Sequence, residues 1–414
     1  MERVILHCDC NNFFASVETV LNPEYRGVPM AVCGSEEDRH GIVLAKNELA
    51  KKYGIKTAET VFSARKKCPG LVIAKPHYSA YSDYSKRVNE IYARYTDMIE
   101  PFGIDESWLD VTRSRKLFGS GEQIAEQIRR EVKAELGITV SIGVSFNKIF
   151  AKLGSDYKKP DAITVINEEN FREIVFPLPV GEMLYIGAKT REELSRLGIK
   201  TIGALAGASD ELLFAKFGKM GYAMAKYARG LDDSPVSHLG ERDDAKSIGS
   251  GLTFRHDLLK KEEWLVGINH LSDDVARRLR KEGMKCSTVQ LTVKDQFLRV
   301  IQRQRPIRPE SDIAREISAV AYSILEDEWL EGKPIRMLTV TAANLSPSEQ
   351  YCEQLDIFGE EDSSKREKDR KMEETVDKIK QKFGSDSITN AGFIGSDIGL
   401  RPKRASSEEE KHKN

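Results

Sequence analysis

Three features that often reveal a function are absent from this sequence: a membrane span, a secretory leader and a paired-cysteine motif. The 414 residues contain no run of about 18 apolar residues, so no segment is expected to span a membrane. The N-terminal MERVILHCDCNNFF has only a short apolar stretch that acids follow closely, which is not the pattern of a signal peptide. We therefore expect a cytoplasmic protein.

Cysteine is scarce and scattered. The six cysteines, at positions 8, 10, 33, 68, 286 and 352, include no CxxC pair, and the spacing of Cys8 and Cys10 on one strand suits no zinc site. Reduced thiols of a cytosolic protein are the interpretation we favour. The formal net charge is -1, so bulk charge does not indicate nucleic acid, and any such indication has to come from local patches.

The order of the predicted elements indicates a multidomain chain of the α+β class. A chain of 414 residues, 40% hydrophobic and 31% charged, is expected to form about two to four domains. Apolar spacing predicts strands over 4–9, 98–103, 107–111, 139–144 and 162–166, and helices over 11–21, 80–95 and 121–136. With residues 11–78 left aside, this is the split βαβ order of a ferredoxin-like sheet.

Three acids are expected to meet at one edge of this sheet. Asp9 ends the first strand, and Asp105 and Glu106 lie in the turn of the predicted hairpin. The first and third strands are antiparallel neighbours in this topology, which brings Asp9 beside that turn. Clustered carboxylates repel one another unless a cation lies among them, and such oxygen ligands suit a divalent metal ion. Acids in a hairpin turn are more often simply solvated, and that alternative stays open here.

Longer motifs carry a resemblance to a known family. DCNNFFASVE (9–18) together with GIDESWLDVT (103–112) resembles the signature pair of the Y-family DNA polymerases, of the bacterial polymerase IV type. The resemblance continues through SIGVSFNKIFAKLGSDYKKP, IGAKTREELSRLGIKTIGAL and KSIGSGLTF, and it covers residues 1–358. Each motif alone is moderately specific, but their shared order argues against an accidental similarity.

The resemblance implies a right-hand polymerase. It assigns 1–10 and 76–166 to a ferredoxin-like palm, 11–75 to small fingers, 167–235 to a helical thumb with a helix-hairpin-helix, 241–348 to an α/β little finger and 349–414 to a C-terminal tail. It also implies a template-directed, low-fidelity DNA polymerase that adds dNTPs to a primer 3′ end in translesion synthesis and DNA repair. We expect a monomer that binds primer–template DNA.

The resemblance implies metal-binding roles for the clustered acids. Asp9 and Asp105 would bridge two Mg²⁺ ions. Glu106 would hold the ion that lowers the pKa of the primer 3′ hydroxyl, and the backbone carbonyl of Cys10 would complete the nucleotide-side ion. The metal ions would resolve the repulsion among the carboxylates.

Aromatic side chains just after the first strand are implied to lie at the nucleotide. Phe14, five residues after Asp9, matches the steric gate of the family, a ring that leaves no room for a 2′ hydroxyl. Phe13 is placed at the nucleotide beside it. The alternative of a core aromatic on an amphipathic helix fits Phe13 better than Phe14.

Two lysines are implied to bind the triphosphate. Lys159, in KKP, matches a triphosphate-binding lysine of the family. Lys51 stands where the family usually has arginine, which keeps the charge but loses the bidentate fork. Ala45 and Glu48 replace the usual threonine and tyrosine, so the phosphate grip departs from the family pattern here, and Lys46 or Asn47 are the residues that could compensate.

Two segments are expected to hold DNA. Residues 186–205, with Gly187 and Lys189, match a helix-hairpin-helix that presents backbone N–H groups to phosphate, although without the resemblance an ordinary helical turn would be preferred. Residues 277–308 carry ten basic side chains against two acids, a local balance of +8. Within that stretch Arg299, Arg303 and Arg305 share one face of a predicted strand. This pattern fits a phosphate track, but a charge run is usually only a solvated face.

A short peptide after the little finger suggests a protein partner. In EQLDIFGEED, the residues Gln354, Leu355, Ile357 and Phe358 resemble the bacterial sliding-clamp-binding peptide, an extended segment with apolar anchors for a groove. No function is predicted for the remainder of the tail.

Two other functional classes share part of this sequence pattern. One is a noncatalytic, clamp-bound scaffold of the same fold, which the absence of the metal acids would have favoured. The other is a different palm-domain enzyme, such as a nucleotide cyclase, in which the helical hairpin, the basic stretch and the clamp peptide would lack a purpose. Because all three acids are present, a polymerase is the leading prediction.

Overall fold

The computed structural model describes residues 2–36, 39, 41–241, 245–348, 360–384, 387–393 and 396–400, with side chains of the last helix from residue 365 onward. It divides into two compact units, the first made of Met1–Gly34 with Ile42–Arg242 and the second of Ser35–Gly41 with Asp243–Asn414. Within the described ranges no helix is both long enough and apolar enough to cross a membrane.

The first unit begins with alternating strands and helices and ends in helices only. Its strands are β1 (Ile5–Cys10), β2 (Met30–Cys33), β3 (Val43–Lys46), β4 (Val72–Ala74), β5 (Ile99–Pro101), β6 (Glu106–Asp110), β7 (Val140–Ser145) and β8 (Ile163–Ile166). Its helices are α1 (Phe13–Leu21), α2 (Glu48–Lys52), α3 (Val61–Lys67), α4 (Tyr78–Tyr92), α5 (Arg115–Phe118), α6 (Gly121–Leu136), α7 (Lys148–Tyr157), α8 (Phe171–Val175), α9 (Ala188–Arg196), α10 (Ile202–Ala206), α11 (Asp210–Phe217) and α12 (Lys219–Ala228).

A five-stranded mixed sheet in the order β5-β6-β1-β7-β8 forms the centre of the first unit. β1 pairs antiparallel with both β6 and β7, and β5 and β6 form a hairpin. The predicted antiparallel pairing of the first and third strands of the split βαβ order is therefore confirmed. Helices α4 and α6 contribute Val88, Ile91, Ile124 and Ile128 to the core that this sheet buries.

Helix α6 has residues at both ends that explain why its boundaries could be predicted from the sequence. The Ser120 side chain accepts a hydrogen bond from the backbone N–H of Gln123, and the Gln123 side chain accepts one from the backbone N–H of Ser120. This capping box satisfies two N–H groups that the first turn would otherwise leave unpaired. Gly137, with a φ of 69°, ends the helix in the left-handed conformation that glycine tolerates best. The helix therefore begins and ends where the sequence predicts.

Helix α7 was not predicted, and it packs on the sheet beside β7. Asn147 caps its start by accepting the backbone N–H of Phe150 at 2.8 Å. A Cβ atom at Gly143 of β7 would lie 1.9 Å from the carbonyl oxygen of Ala151, so only glycine permits this approach. The close contact brings α7, which carries Lys152, against the central strands.

A small three-stranded sheet, in the order β3-β2-β4, follows α1. Ala15 of α1 packs against Met30 and Val32 of this sheet, while Phe13 and Val17 enter the core of the large sheet. Helix α1 thus lies between the two sheets. After β8, helices α8 to α12 build a further core, to which Phe150 of α7 and Ile166 of β8 also contribute.

The second unit contains a four-stranded antiparallel sheet with helices on one face. Its elements are β9 (Ser247–Leu258), α13 (Lys261–Lys281), β10 (Met284–Asp295), β11 (Val300–Ser311), α14 (Ala314–Glu328), β12 (Ile335–Pro347) and α15 (Glu360–Phe383). The strand order is β11-β10-β12-β9. Trp264 and Leu271 of α13 and Ile317 of α14 pack against Val289 and Leu291 of β10 in one core.

The C-terminal helix α15 packs on the helical layer of this unit. The Glu373 carboxylate accepts the backbone N–H of Ala314 at 3.1 Å, at the start of α14, where Ile313 supplies no side-chain cap. Arg280 of α13 pairs with Glu373 and with Asp377, the latter at 2.8 Å. The described part of the tail is therefore integrated into the second unit.

Candidate active site

The pairing of β1 with β6 brings two of the candidate acids opposite each other. Asp9 and Glu106 are cross-strand partners, so their side chains lie on the same face of the sheet. The backbone N–H of Cys10 donates to the carbonyl oxygen of Asp105 at 2.9 Å, which continues the pairing into the hairpin turn. Asp9, Asp105 and Glu106 therefore lie at one edge of the central strands.

Two lysines neutralise these acids in the structure. The Nζ atom of Lys152 lies 2.6 Å from Glu106 Oε2 and 3.4 Å from Asp9 Oδ2. The Nζ atom of Lys159 lies 2.6 Å from the same Asp9 oxygen. Asp156 also contacts both lysines, at 3.5 Å and 2.7 Å. Lys159 was a sequence candidate, whereas Lys152 was missed because α7 was not predicted.

The pKa values of the three acids are displaced, and burial is the largest influence on each of them. Burial raises the pKa of Asp9 to about 6, against the opposing effect of Lys159. Burial, and then the negative charge of Glu106, raise the pKa of Asp105 above its ordinary value. Burial opposes ionisation of Glu106 too, but contacts with His7 and Lys152 lower its pKa to about 2. Two of the three acids would therefore ionise more readily if a further cation entered.

His7 is a buried residue of this site that the sequence reasoning missed. Its Nε2 atom lies 3.3 Å from Glu106 Oε2, and its Nδ1 atom lies 2.8 Å from the hydroxyl of Ser155 on α7. Burial lowers the pKa of His7 to about 4. A histidine two residues before Asp9 shares its strand face, and that spacing was the available signal. His7 links β1, β6 and α7 beneath the acids.

The chemistry of the donor set fits divalent cations. Among the residues that the structure describes, no three His, Cys, Asp or Glu side chains converge closely enough to form a ready metal site. The candidate donors are nevertheless oxygen atoms, which Mg²⁺ prefers. Burial raises the pKa of the Cys10 thiol well above its ordinary value, so its carbonyl is the suitable donor. A cation charge already lies between Asp9 and Glu106, because the ammonium group of Lys152 occupies that position.

The two phenylalanines occupy different environments. Phe13 is 3% exposed and belongs to the core of the large sheet, so any nucleotide contact of Phe13 would involve its backbone. The ring of Phe14 stacks on Tyr81, with ring centroids 4.1 Å apart and planes inclined by 11°. The hydroxyl of Tyr81 donates to the fully buried carboxylate of Glu18. The orientation of the Phe14 ring is thus supported from behind.

The candidate phosphate residues after α1 form a second charged group. Lys51 Nζ and Asn12 Nδ2 both donate to Glu48 Oε1, each at 2.7 Å. Lys46 Nζ donates to the hydroxyl of Thr57 at 2.9 Å. Ala45 lies in β3, opposite Val32, and offers no polar side chain. Lys51 is therefore paired with the acid that departs from the family pattern.

The first candidate DNA segment forms two helices around a turn. Gly187 precedes α9, and Lys189 lies in the first turn of that helix. A Cβ atom at Gly187 would meet no atom within 4 Å, so packing does not require glycine there. Gly198, with a φ of 78°, lies in the turn before α10, whose start Thr201 caps by accepting the backbone N–H of Ala204.

The second candidate DNA segment differs in detail from the prediction. Arg299 precedes β11 and pairs with Asp295 at 2.8 Å, so the prediction that it lies within the strand is wrong. Arg303 and Arg305 stand opposite Leu291 and Val289, and they share the face that α13 and α14 cover. The opposite face carries uncharged polar side chains from three strands: Gln290, Thr292, Gln302, Thr339 and Thr341.

Both strand arginines are paired with acids of α14. Arg303 Nε lies 3.1 Å from Glu328, and Arg305 contacts Asp327. The predicted clamp-binding residues are Gln354, Leu355, Ile357 and Phe358. They lie outside the described residues.

Comparisons with known proteins agree with this arrangement. Residues 8–156 match the impB/mucB/samB family, and residues 245–357 match the C-terminal domain of that family. DNA polymerase IV of Acetivibrio thermocellus is 47% identical over 400 residues, which covers 97% of this chain and 99% of the relative. DNA polymerase IV of Bacillus anthracis is 35% identical over 384 residues, which covers 92% of this chain and 91% of the relative.

A solved structure shares the fold. A Y-family DNA polymerase chimera superposes with a TM-score of 0.72 and covers 83% of this chain and 99% of the chimera. Its sequence identity is 24%, so this likeness shows the fold alone.

Proposed function

Since the chain belongs to the impB/mucB/samB family, and within it to the DNA polymerase IV type of Y-family DNA polymerases, we propose that it extends primer 3′ ends with dNTPs on a DNA template. The activity is low-fidelity and serves translesion synthesis and DNA repair. The observation that carries the proposal is the pairing of Asp9 with Glu106 on adjacent central strands, with Asp105 in the turn beside them.

The acids are the residues that would hold the metal ions of the reaction. Y-family polymerases generally use divalent metal ions. Asp9 and Asp105 would bridge two Mg²⁺ ions, Glu106 would hold the ion on the primer side, and the Cys10 carbonyl the ion on the nucleotide side. When bound, these ions lower the pKa of the attacking hydroxyl and neutralise charge that develops on the phosphates.

Residues around the acids position the nucleotide. Lys159, whose Nζ now lies 2.6 Å from Asp9, would contact the triphosphate, and Lys51 would approach it from α2. Phe14 would exclude a ribose, because its ring is held against Tyr81 and cannot easily yield to a 2′ hydroxyl. Positioning and charge neutralisation are the main contributions that phosphoryl transfer requires from a protein.

Three further segments would hold DNA and a partner protein. Gly187 and Lys189, at the start of α9, would contact backbone phosphate without reading sequence. Arg299, Arg303 and Arg305 would contact phosphate after exchanging their present acidic partners. Residues 354–358 would bind the sliding clamp, and alanine at Leu355 and Phe358 is expected to abolish clamp-stimulated processivity while sparing basal synthesis.

Primer extension with Mg²⁺ and either dNTPs or rNTPs tests the proposed reaction. Wild type is expected to extend with dNTPs only, and Glu106→Ala is expected to abolish extension. Glu90→Ala is the matched control, because Glu90 is an exposed acid on α4 and lies outside the cluster. Extension that survives in Glu106→Ala, or its absence in wild type with DNA binding intact, would contradict the proposal. A wild-type protein that binds DNA but does not extend the primer would favour the noncatalytic, clamp-bound scaffold.

A further inference from the structure

Glu48 is a charged residue for which the proposed reaction supplies no role. One of its oxygens accepts hydrogen bonds from both Lys51 and Asn12, at 2.7 Å each. Burial opposes its ionisation, but these hydrogen bonds hold the pKa of Glu48 below its ordinary value, so it carries a negative charge at neutral pH. In the free protein, therefore, the charge of Lys51 is neutralised by its neighbour.

The Lys51–Glu48 pair lies next to the turn that connects Asp9, an acid of the proposed metal site, to Phe14, the proposed steric gate. Asn12 follows Cys10 by two residues and precedes Phe14 by two, and its backbone is in the left-handed conformation with a φ of 51°. Its side chain holds Glu48 and so fixes the start of α2 against this turn. A carboxylate is thereby placed beside the region between Asp9 and Phe14.

The pair is accessible and can be broken. The side chains of Lys51 and Glu48 are 40% and 45% exposed, and exposed ion pairs of this kind are weak. The neighbouring Lys46 differs from Lys51 in its partner, because its Nζ donates to the uncharged hydroxyl of Thr57 and makes no hydrogen bond to Glu48 among those of the described residues. An incoming polyanion can therefore capture Lys51, but only against the competing carboxylate.

We propose that Glu48 sets the affinity for the incoming nucleotide by competing with its triphosphate for Lys51. The inference rests on the proposed function, in which Lys51 is a triphosphate contact. A nucleotide that binds has to separate Lys51 from Glu48 and then tolerate the carboxylate nearby. Glu48 thus weakens nucleotide binding without touching the reacting atoms, so it changes KM rather than kcat.

Steady-state insertion of a single dNTP measures this effect in four proteins: wild type, Glu48→Gln, Lys51→Met and the double variant. Glu48→Gln is expected to lower KM about two- to fivefold with kcat unchanged, because the competing pair is exposed. Lys51→Met is expected to raise KM. In the double variant Glu48→Gln should have little further effect, because no lysine remains to be released.

Glu59→Gln provides a matched control, since Glu59 pairs with Lys67 at 2.6 Å in the same small sheet region. Its KM is expected to equal that of wild type. If Lys51→Met raises KM while Glu48→Gln leaves it unchanged or raises it, the competition is refuted and the role of Lys51 stands. If Lys51→Met leaves KM unchanged, the proposed role of Lys51 fails, and this inference fails with it.

Discussion

Each of the two units contains a network of paired acidic and basic side chains, and the two networks use different basic residues. The active-site cluster is held by lysines and consists of Asp9, Asp105, Glu106, Lys152 and Lys159. The tail cluster is held by arginines and consists of Arg280, Asp312, Arg370, Glu373 and Asp377. Each cluster contains buried charged groups, among them Asp9 and Arg280, and a buried charge needs a partner. The difference between them indicates which cluster can exchange its cations and which cannot.

Lysine makes the active-site cluster exchangeable. An ammonium group is a point charge on a flexible stem, and that of Lys152 is shared among Glu106, Asp9 and Asp156 at 2.6 to 3.5 Å. The pKa of Asp9, which burial raises to about 6, shows that the lysines compensate the acids only in part. Such a cluster can accept another cation without losing a rigid hydrogen-bond geometry.

Arginine makes the tail cluster permanent. Arg280 is 6% exposed, and its guanidinium donates to Asp377 and to the carbonyl oxygen of Asp312, each at 2.8 Å, as well as to Glu373. Glu373 in turn caps α14. Each of these bonds has a defined direction, so the planar fork fixes the helices to one another.

The largest expected effect comes from removing an acid of the active-site cluster. Asp105→Asn is expected to lower the rate of primer extension by at least about 10²–10³-fold, because a charge that stabilises the transition state is lost. Its thermal midpoint should not fall, since the raised pKa of Asp105 shows that its charge is disfavoured in the folded protein. Asp83→Asn, at an exposed position of α4, is the control. An Asp105→Asn protein that is less stable than wild type but still extends primers would contradict this expectation.

Removing an acid of the tail cluster should have the opposite profile. Burial raises the pKa of Glu373 as well, but this carboxylate pairs with Arg280 and caps α14. Glu373→Ala leaves Asp377 as the carboxylate partner of Arg280 and uncaps α14, so we expect a loss of about 1–3 kcal/mol in the stability of the second unit. Urea unfolding is the measurement. Glu367→Ala breaks an exposed pair with Lys371 on the same helix and should cost less than about 0.5 kcal/mol. Equal effects of the two variants would refute a stabilising role for the cluster.

Replacing a lysine of the active-site cluster by arginine tests the proposed difference between the two clusters. Lys152→Arg places a fork between Asp9 and Glu106, which should hold both carboxylates more firmly against incoming ions. We expect the Mg²⁺ concentration for half-maximal extension to rise by roughly two- to fivefold, because a bidentate guanidinium holds a carboxylate with two directed bonds where the ammonium group acts as a point charge. A magnesium titration of the extension rate measures this. An unchanged requirement would show that Lys152 does not compete with the ions.

The smallest effect is expected at the arginines of β11. Arg303 is 52% exposed and pairs with Glu328, so phosphate can replace that acid more easily than at Arg280. Arg303→Gln should weaken DNA binding and lower the slope of log affinity against log salt by about 0.9, the value for one phosphate contact. Binding isotherms at several salt concentrations test this. A slope equal to that of wild type would exclude Arg303 from the DNA interface.

Local patterns sufficed for the sheet that carries the acids. The short apolar run of β1, the hairpin signals and the split βαβ order placed Asp9 beside Asp105 and Glu106, because strand topology converts a short motif into a spatial one. The same reasoning missed α7, although Ile149, Phe150 and Leu153 have helical spacing and Asn147 is a suitable cap. Lys152 was missed with it.

Contacts over long sequence distances were not predictable in this way. Glu373 caps a helix that begins 59 residues earlier, and no local pattern marks it among the many charges of α15. For β11, the alternation of residues predicted that Arg303 and Arg305 lie on the same face of the sheet. It did not predict whether that face is the one covered by helices. Ile301 and Ile307 have the same parity as the two arginines and pack toward the core, which identifies that face as the helix-covered one.

The most direct test of the central claim is to count metal ions in the assembled complex. Mn²⁺ bound to the protein with a dideoxy-terminated primer–template and the next dNTP can be measured by electron paramagnetic resonance for wild type, Asp105→Asn and Glu106→Gln. We predict two tightly bound ions in wild type and fewer in both variants, with dNTP and DNA still bound. Equal ion numbers in all three proteins would show that these acids do not hold the metal ions.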